Sequence, residues 1–178
     1  MLLEKNKELW ERCVAFHGHA CGGLAVGYQA SLYAMELLGV SGRAQDEELV
    51  CVTENDACGV DAVQAVLGCT VGKGNLIFRM TGKQAFNFFD RQSGKGVRLL
   101  LRATPGLSRQ ERESWLMHGD FHEMFDVGPA RAALPETARI FKTCTCAKCG
   151  ERMAESHAHL QNGEIVCDDC FAPYTRGL

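Results

Sequence analysis

The sequence predicts an α+β domain followed by a small cysteine-rich module, and three observations carry that reading. The hydrophobic periodicity runs helix, helix, strand, helix and then three strands. The chain has 178 residues, 46% of them apolar, which suffices for one domain of ordinary size plus an appended piece. Of its ten cysteines, Cys144, Cys146, Cys149, Cys167 and Cys170 crowd the C-terminal end, while Cys13, Cys21, Cys51, Cys58 and Cys69 are spread through the earlier part. The expected boundaries are residues 1–142 for the α+β domain, including a connecting segment from about 103 to 142, and 143–178 for the module.

In residues 3–16, Leu9, Trp10, Cys13, Val14 and Phe16 recur at helical spacing with Glu and Lys opposite. His17-Gly-His19-Ala-Cys21-Gly-Gly23 breaks that helix, and a second follows from Leu24 to Leu38, with Gly39 suited to its left-handed cap. Leu49–Thr53 is β-branched and bounded by polar residues, the pattern of a strand buried on both faces. After Glu54-Asn-Asp56, the spacing of Val60, Val63 and Leu67 predicts a helix over 57–67. Asn55 or Asp56 would be its N-cap, Cys58 would lie in its first turn, and Gly68 would close it. Strands are expected at 76–80 and 84–89, joined as a hairpin through Thr81-Gly82, and at 97–102. Ser108 and Glu111 have the spacing of a capping box for a short helix to Met117. Pro129 and Pro135 then imply an irregular connection, with a strand near 139–141.

Lys and Arg total 19 against 22 Asp and Glu, a net charge of -3. No basic field therefore draws the chain to nucleic acid or anionic lipid. The N-terminal residues mix charge into their apolar positions and carry no secretory pattern. No segment reaches the roughly 18 uninterrupted apolar residues of a membrane span. A cytoplasmic protein is expected, whose cysteines ligate metal, do redox chemistry or are simply buried.

Cys146-Ala-Lys-Cys149-Gly150 and Cys167-Asp-Asp-Cys170, seventeen residues apart, have the two-knuckle spacing of tetrahedral structural zinc. Four thiolates leave no open position, so this zinc is expected to be structural and to contribute on the order of 10 kcal/mol to folding of the module. Cys144, His157 or His159 are alternates for one ligand, and a reducible disulfide or thiol redox centre is the other use of such a motif.

His17, His19 and Cys21 place two imidazoles and a thiol together at the start of a helix, where the dipole favours the thiolate form that metals require. Cys58, at another helix start, is able to join them. Such donors suit Zn, Fe, Co or Ni, and three ligands would leave a position for water or substrate. A glycine-rich turn with hydrogen-bonded histidines and a buried thiol fits the same residues.

Glu54, Asp61 and Cys58 gather where a buried strand ends and are the catalytic candidates, a carboxylate there serving as general base. Helix capping and a surface turn explain the same residues. Gly72-Lys73-Gly74 lacks the spacing of a phosphate-binding loop and reads as a turn. His118 and His122, with Asp120 and Glu123 nearby, read as solvated surface, and Phe86, Phe88 and Phe89 as core or subunit interface.

Phe16-His-Gly-His-Ala-Cys-Gly-Gly-Leu-Ala25, Glu54-Asn-Asp-Ala-Cys-Gly-Val-Asp61, Gly68-Cys-Thr-Val-Gly-Lys-Gly-Asn75 and Cys146-Ala-Lys-Cys-Gly-Glu151 together resemble the FmdE (FwdE-like) family of formylmethanofuran dehydrogenase subunits over nearly the whole chain. The resemblance implies an α-β-α-β(3) mixed-sheet domain, related in shape to the catalytic half of glyceraldehyde-phosphate dehydrogenase, with a zinc-ribbon tail. It also implies a homodimer, and it ties the chain to a molybdenum or tungsten enzyme that fixes carbon dioxide as a formyl group. The family's His and Cys cluster maps onto His17, His19 and Cys21, with Cys58 the natural fourth ligand. Gly22 stands where the family often has proline, which loosens the turn without removing a ligand.

Two functions follow as expectations. The first is a metal-binding protein accessory to molybdenum- or tungsten-dependent formyl or formate metabolism, partnered with such an oxidoreductase. The second is a stand-alone metal-dependent enzyme with an open coordination position at the His and Cys site.

Overall fold

The apolar stripe near the N-terminus folds as helix α1 (Lys7–His17). The part of that expected helix at residues 3–5 lies outside the described residues, which are 6–176 of this computed structural model. Gly18 ends α1 at φ 94°, a left-handed conformation that a side chain would strain, and its N–H bonds the Val14 carbonyl. Helix α2 (Gly22–Leu38) starts two residues before the expected Leu24 and ends at the left-handed Gly39. Strand β1 (Leu49–Thr53) is buried at every position, as its β-branched sequence implies. Helix α3 (Gly59–Leu67) starts two residues later than expected and is not capped by Asn55 or Asp56. The Asn55 side chain instead accepts from the Ala57 N–H, holding the turn that leads into the helix.

Strands β2 (Leu76–Phe78), β3 (Ala85–Asp90) and β4 (Gly96–Leu101) follow. The capping box then starts helix α4 (Arg109–His118): the Ser108 hydroxyl accepts from the Glu111 N–H, and the Glu111 carboxylate accepts from the Ser108 N–H. A short turn of helix, α5 (Phe121–Met124), leads into β5 (Phe125–Pro129). The expected strand at 139–141 does not form, whereas β5 was not expected. Pro129 is accommodated because β5 is an edge strand, where a missing N–H leaves no ladder bond unmade.

The sheet order is β2-β1-β3-β4-β5, with β2 parallel to β1 and every other pair antiparallel. The expected hairpin of β2 with β3 is therefore wrong. Helix α3 acts as a crossover that returns the chain parallel to β1 on one side. The Thr81 and Gly82 N–H groups then bond the Glu54 carbonyl, so this turn wraps the end of β1 and delivers β3 to its other side.

The helices cover one face of the sheet. Phe86, Phe88, Leu99 and Cys51 pack there with Leu24, Tyr28, Val63 and Val66. On the opposite face Val50, Val52 and Phe89 meet Ala130 and Ala132, and Val52, Asn87 and Arg98 are consecutive cross-strand partners.

Residues to Ala138 form one compact unit and those from Arg139 a second. The second contains two short antiparallel pairs. One joins β6 (Thr143–Thr145) to β7 (Arg152–Ala154), and the other joins β8 (Ala158–Gln161) to β9 (Glu164–Cys167), with a 3-10 turn, Glu155–His157, between the pairs. Among the described residues no helix is long and apolar enough to cross a membrane.

Candidate metal centre

Two groups of side chains among the described residues could hold a metal ion: His17, His19 and Cys21 in the first unit, and Cys146, Cys149, Cys167 and Cys170 in the second. Within each group the ligand atoms lie within 4.8 Å of one another.

The first group is assembled by the break between α1 and α2. Gly18 turns the chain, so His17 at the end of α1 and His19 in the turn lie against each other, tilted by 36°, at 4.6 Å between ring centroids. Cys21 is the N-cap of α2, its sulfur accepting from the Leu24 N–H at 3.3 Å. A sulfur taking the place of a capping oxygen faces the free amides and the positive end of the helix dipole. His17 Nε2 lies 3.9 Å from that sulfur.

The other nitrogen of His17 is fixed by Asp61 on α3, whose Oδ2 is 2.7 Å from His17 Nδ1. An ionised carboxylate only accepts, so Nδ1 carries a proton, and in the neutral imidazole the lone pair is then on Nε2, the nitrogen nearer Cys21. The second Asp61 oxygen accepts from Gln64, three residues along the same helix. A histidine held at one nitrogen by a carboxylate, with the other free, has the outer-shell arrangement of a metal-binding imidazole.

Cys58 enters through helix packing. A Cβ on Gly27 would lie 1.8 Å from the Gly59 carbonyl oxygen, so α2 and α3 touch backbone to backbone at this point. That approach brings the start of α3 over the start of α2: a Cβ on Gly23 would be 3.5 Å from the Cys58 sulfur and 3.8 Å from the Cys21 sulfur. Burial, and then the neighbouring Cys21 sulfur, raise the Cys58 thiol above its ordinary value.

Glu54 has a different role. Its two oxygens accept from Arg98 at 2.6 and 3.0 Å, and from Asn87 and Thr81. The Arg98 guanidinium holds its carboxyl down to about 2, against the desolvation that opposes ionisation. With its lone pairs committed to a buried guanidinium, Glu54 is a structural anion rather than a free base. Asp61 and Cys58 are the catalytic candidates that adjoin the cluster.

In the second unit each Cys-x-x-Cys turn closes on itself. The Gly150 N–H bonds the Cys146 carbonyl, the Cys170 N–H bonds the Cys167 carbonyl, and Gly150 takes φ 76°. Cys149 and Cys167 sulfurs are 3.9 Å apart, against about 3.8 Å for two thiolates on one tetrahedral zinc. Backbone amides of Cys149 and Cys167 lower the Cys146 thiol to about 6, while its neighbours push Cys170 up to about 12. His157 and His159 both pair with Asp168. They and Cys144 stand outside the four-sulfur group, which fits a zinc ribbon.

Elsewhere, Lys73 of the glycine-rich loop donates to the Ala44 and Asp46 carbonyls, so its ammonium is used in the fold. His122 is paired to Glu36 and Asp120 on the surface. Phe86, Phe88 and Phe89 are buried.

The sequence reading missed a cavity of about 380 Å³ bordered by Cys21, Ala57 and the first turns of α4, with Arg109 and Arg112 at its rim. One signal for it exists: two arginines sit in the first turns of a helix, where the dipole favours acids.

Against known proteins, residues 16–150 match the family model described as FmdE, molybdenum formylmethanofuran dehydrogenase operon. A probable S-adenosyl-L-methionine-binding protein of Archaeoglobus fulgidus is 31% identical over 179 residues, covering 83% of this chain. The chain spans only 49% of that relative's length. Among solved structures, a tungsten formylmethanofuran dehydrogenase FmdE-like protein from Syntrophus aciditrophicus superposes with a TM-score of 0.64 at 24% identity, over 92% of this chain and 90% of that one. That likeness extends the shared fold along nearly the whole chain. With the family model running from residue 16 of the first unit to the first cysteine pair of the second, the chain belongs to the FmdE family.

Proposed function

We propose that this protein is a metal-binding accessory protein of molybdenum- or tungsten-dependent one-carbon metabolism. A transition metal (Zn, Fe, Ni or Co) is held in the first unit by His17, His19 and Cys21, with Cys58 as fourth ligand. A structural zinc is held in the ribbon by Cys146, Cys149, Cys167 and Cys170. The observation that carries the reading is the orientation of His17, whose Nδ1 is locked to Asp61 at 2.7 Å while Nε2 faces the Cys21 sulfur. The partner we propose is a molybdenum or tungsten oxidoreductase of formyl or formate metabolism, a reading supported by the family's description, which names molybdenum formylmethanofuran dehydrogenase, and by that of the solved relative, which names the tungsten enzyme. We expect a cytoplasmic homodimer.

The test is metal content per chain in untagged, full-length protein. Two metals are expected in the wild type, falling to one in His19→Ala/Cys21→Ser and to one in Cys146→Ser/Cys149→Ser. A single metal unaffected by the first pair of substitutions would remove the N-terminal site. Co-purification that never recovers a molybdenum or tungsten oxidoreductase would remove the accessory role.

The cavity beside Cys21 favours a second reading, a stand-alone metal-dependent enzyme. A metal bound there would supply Lewis-acid activation of a coordinated oxygen. This chain's contribution would be to hold His17 through Asp61 and to admit the substrate past Cys21.

A further inference from the structure

The cavity that opens on Cys21 carries an inference about what reaches the site. It is about 380 Å³, within the range of small-molecule pockets. Leu101 and Leu116 give it an apolar wall, and Arg109, Arg112 and Glu113 from α4 stand at its mouth. Arg102, one residue beyond β4, shows the usual fate of an arginine here, paired with Asp126 at 2.7 Å. Arg109 and Arg112 have no such carboxylate partner among the described residues, and Glu113 makes no ion pair there either. Two guanidiniums against one carboxylate leave the rim positive.

The position of these arginines also runs against helix electrostatics. Cations in the first turns of α4 oppose the helix dipole. Among the described residues no ion pair offsets this. Their placement on the lining of a cavity that Cys21, a candidate metal ligand, also lines gives them a use: forked donors for an oxyanion, in the geometry guanidinium matches best.

We propose that this cavity binds a small organic carboxylate, its anionic group on Arg109 and Arg112 and its carbon chain against Leu101 and Leu116, with the far end directed to Cys21. The apolar wall separates this ligand from inorganic phosphate, which would satisfy the guanidiniums and leave the leucines facing water. The inference deepens the metal reading of the same site, but the arginine recognition does not itself require the metal.

The experiment is an equilibrium titration of full-length, metal-loaded protein with butyrate, with neutral butyramide and with inorganic phosphate, followed by backbone amide shifts. Butyrate is expected to bind at least tenfold more tightly than butyramide and more tightly than phosphate. In Arg109→Gln/Arg112→Gln that preference should fall to near unity, with metal content and melting temperature unchanged. Should that variant fail to fold, ionic strength decides on the wild type: added salt must weaken butyrate far more than butyramide. Equal affinity for butyrate and butyramide, tighter binding of phosphate, or full binding in a folded arginine variant would each overturn the proposal.

Cys21→Ser separates it from the metal reading. Loss of metal with arginine-dependent butyrate binding retained is the expected result. Loss of both together would mean that the carboxylate sits on the metal and not on the arginines, which sinks this proposal and leaves the metal site standing. Wild-type protein that binds butyrate through the arginines yet holds no N-terminal metal would do the reverse.

Discussion

Asp61 and Glu54 begin as equivalent carboxylates near the end of β1, and their surroundings give them opposite uses. Asp61→Asn keeps an oxygen that accepts from His17 Nδ1 but removes the charge that fixes the tautomer. Metal affinity at the N-terminal site should fall about 10- to 100-fold, as loss of an outer-shell partner typically does, with the ribbon site unchanged. Chelator competition measures both, and undiminished affinity would leave Asp61 an ordinary surface acid.

Glu54 answers to acid instead. Its folded-state value, about 2, lies below the ordinary 4.5. Its ionisation therefore adds stability that is fully present above about pH 4.5 and is lost as pH falls toward 2. The shift corresponds to about 3 kcal/mol. Glu54→Gln should cost about 3–5 kcal/mol at neutral pH, because Arg98 stays buried without its counter-charge, and should flatten the acid limb between pH 4.5 and 2. Urea unfolding at pH 7 and pH 3 tests this, and an unchanged acid limb would place the titration elsewhere. From sequence the two acids were indistinguishable, because the partner of each is 44 residues away. The cysteines of the ribbon were legible for the opposite reason, since each pair is local.

At the scale of elements, the crossing of α2 and α3 decides whether Cys58 can serve with Cys21. Gly27→Ala would drive a methyl into the Gly59 carbonyl, 1.8 Å from the position its Cβ must take. The helices must part, at a cost of about 1–3 kcal/mol. Melting should drop accordingly, and the N-terminal metal should weaken even though no ligand is changed. A variant with normal stability and normal metal content would show that the contact does not position Cys58. Periodicity revealed both helices, their glycine caps and β1, because these are written in consecutive residues. It did not reveal that β1 separates β2 from β3, since neighbouring strands with a short turn usually pair. Here the turn is tied to the Glu54 carbonyl at the end of β1. Strand β5 was obscured by its own Gly128-Pro129, residues that argue against a strand except at an edge.

Across the whole molecule, the two units draw their stability from different sources. The first has a continuous apolar core on the helical face of its sheet and a second cluster on the other face. The ribbon has strands of three or four residues, with Cys146 and Val166 as its buried apolar positions. So small a core cannot by itself hold a unit of this length folded. On the proposed reading the four thiolates make good the shortfall by holding a structural zinc, worth on the order of 10 kcal/mol. A strong chelator should therefore abolish the dispersed amide resonances of residues 143–176 while those of the first unit's core persist. Calorimetry should lose one transition and keep the other. Cys146→Ser/Cys149→Ser should reproduce the loss without chelator. A ribbon that keeps its dispersion after demonstrated removal of all metal would mean that this unit is held by something other than its four thiolates.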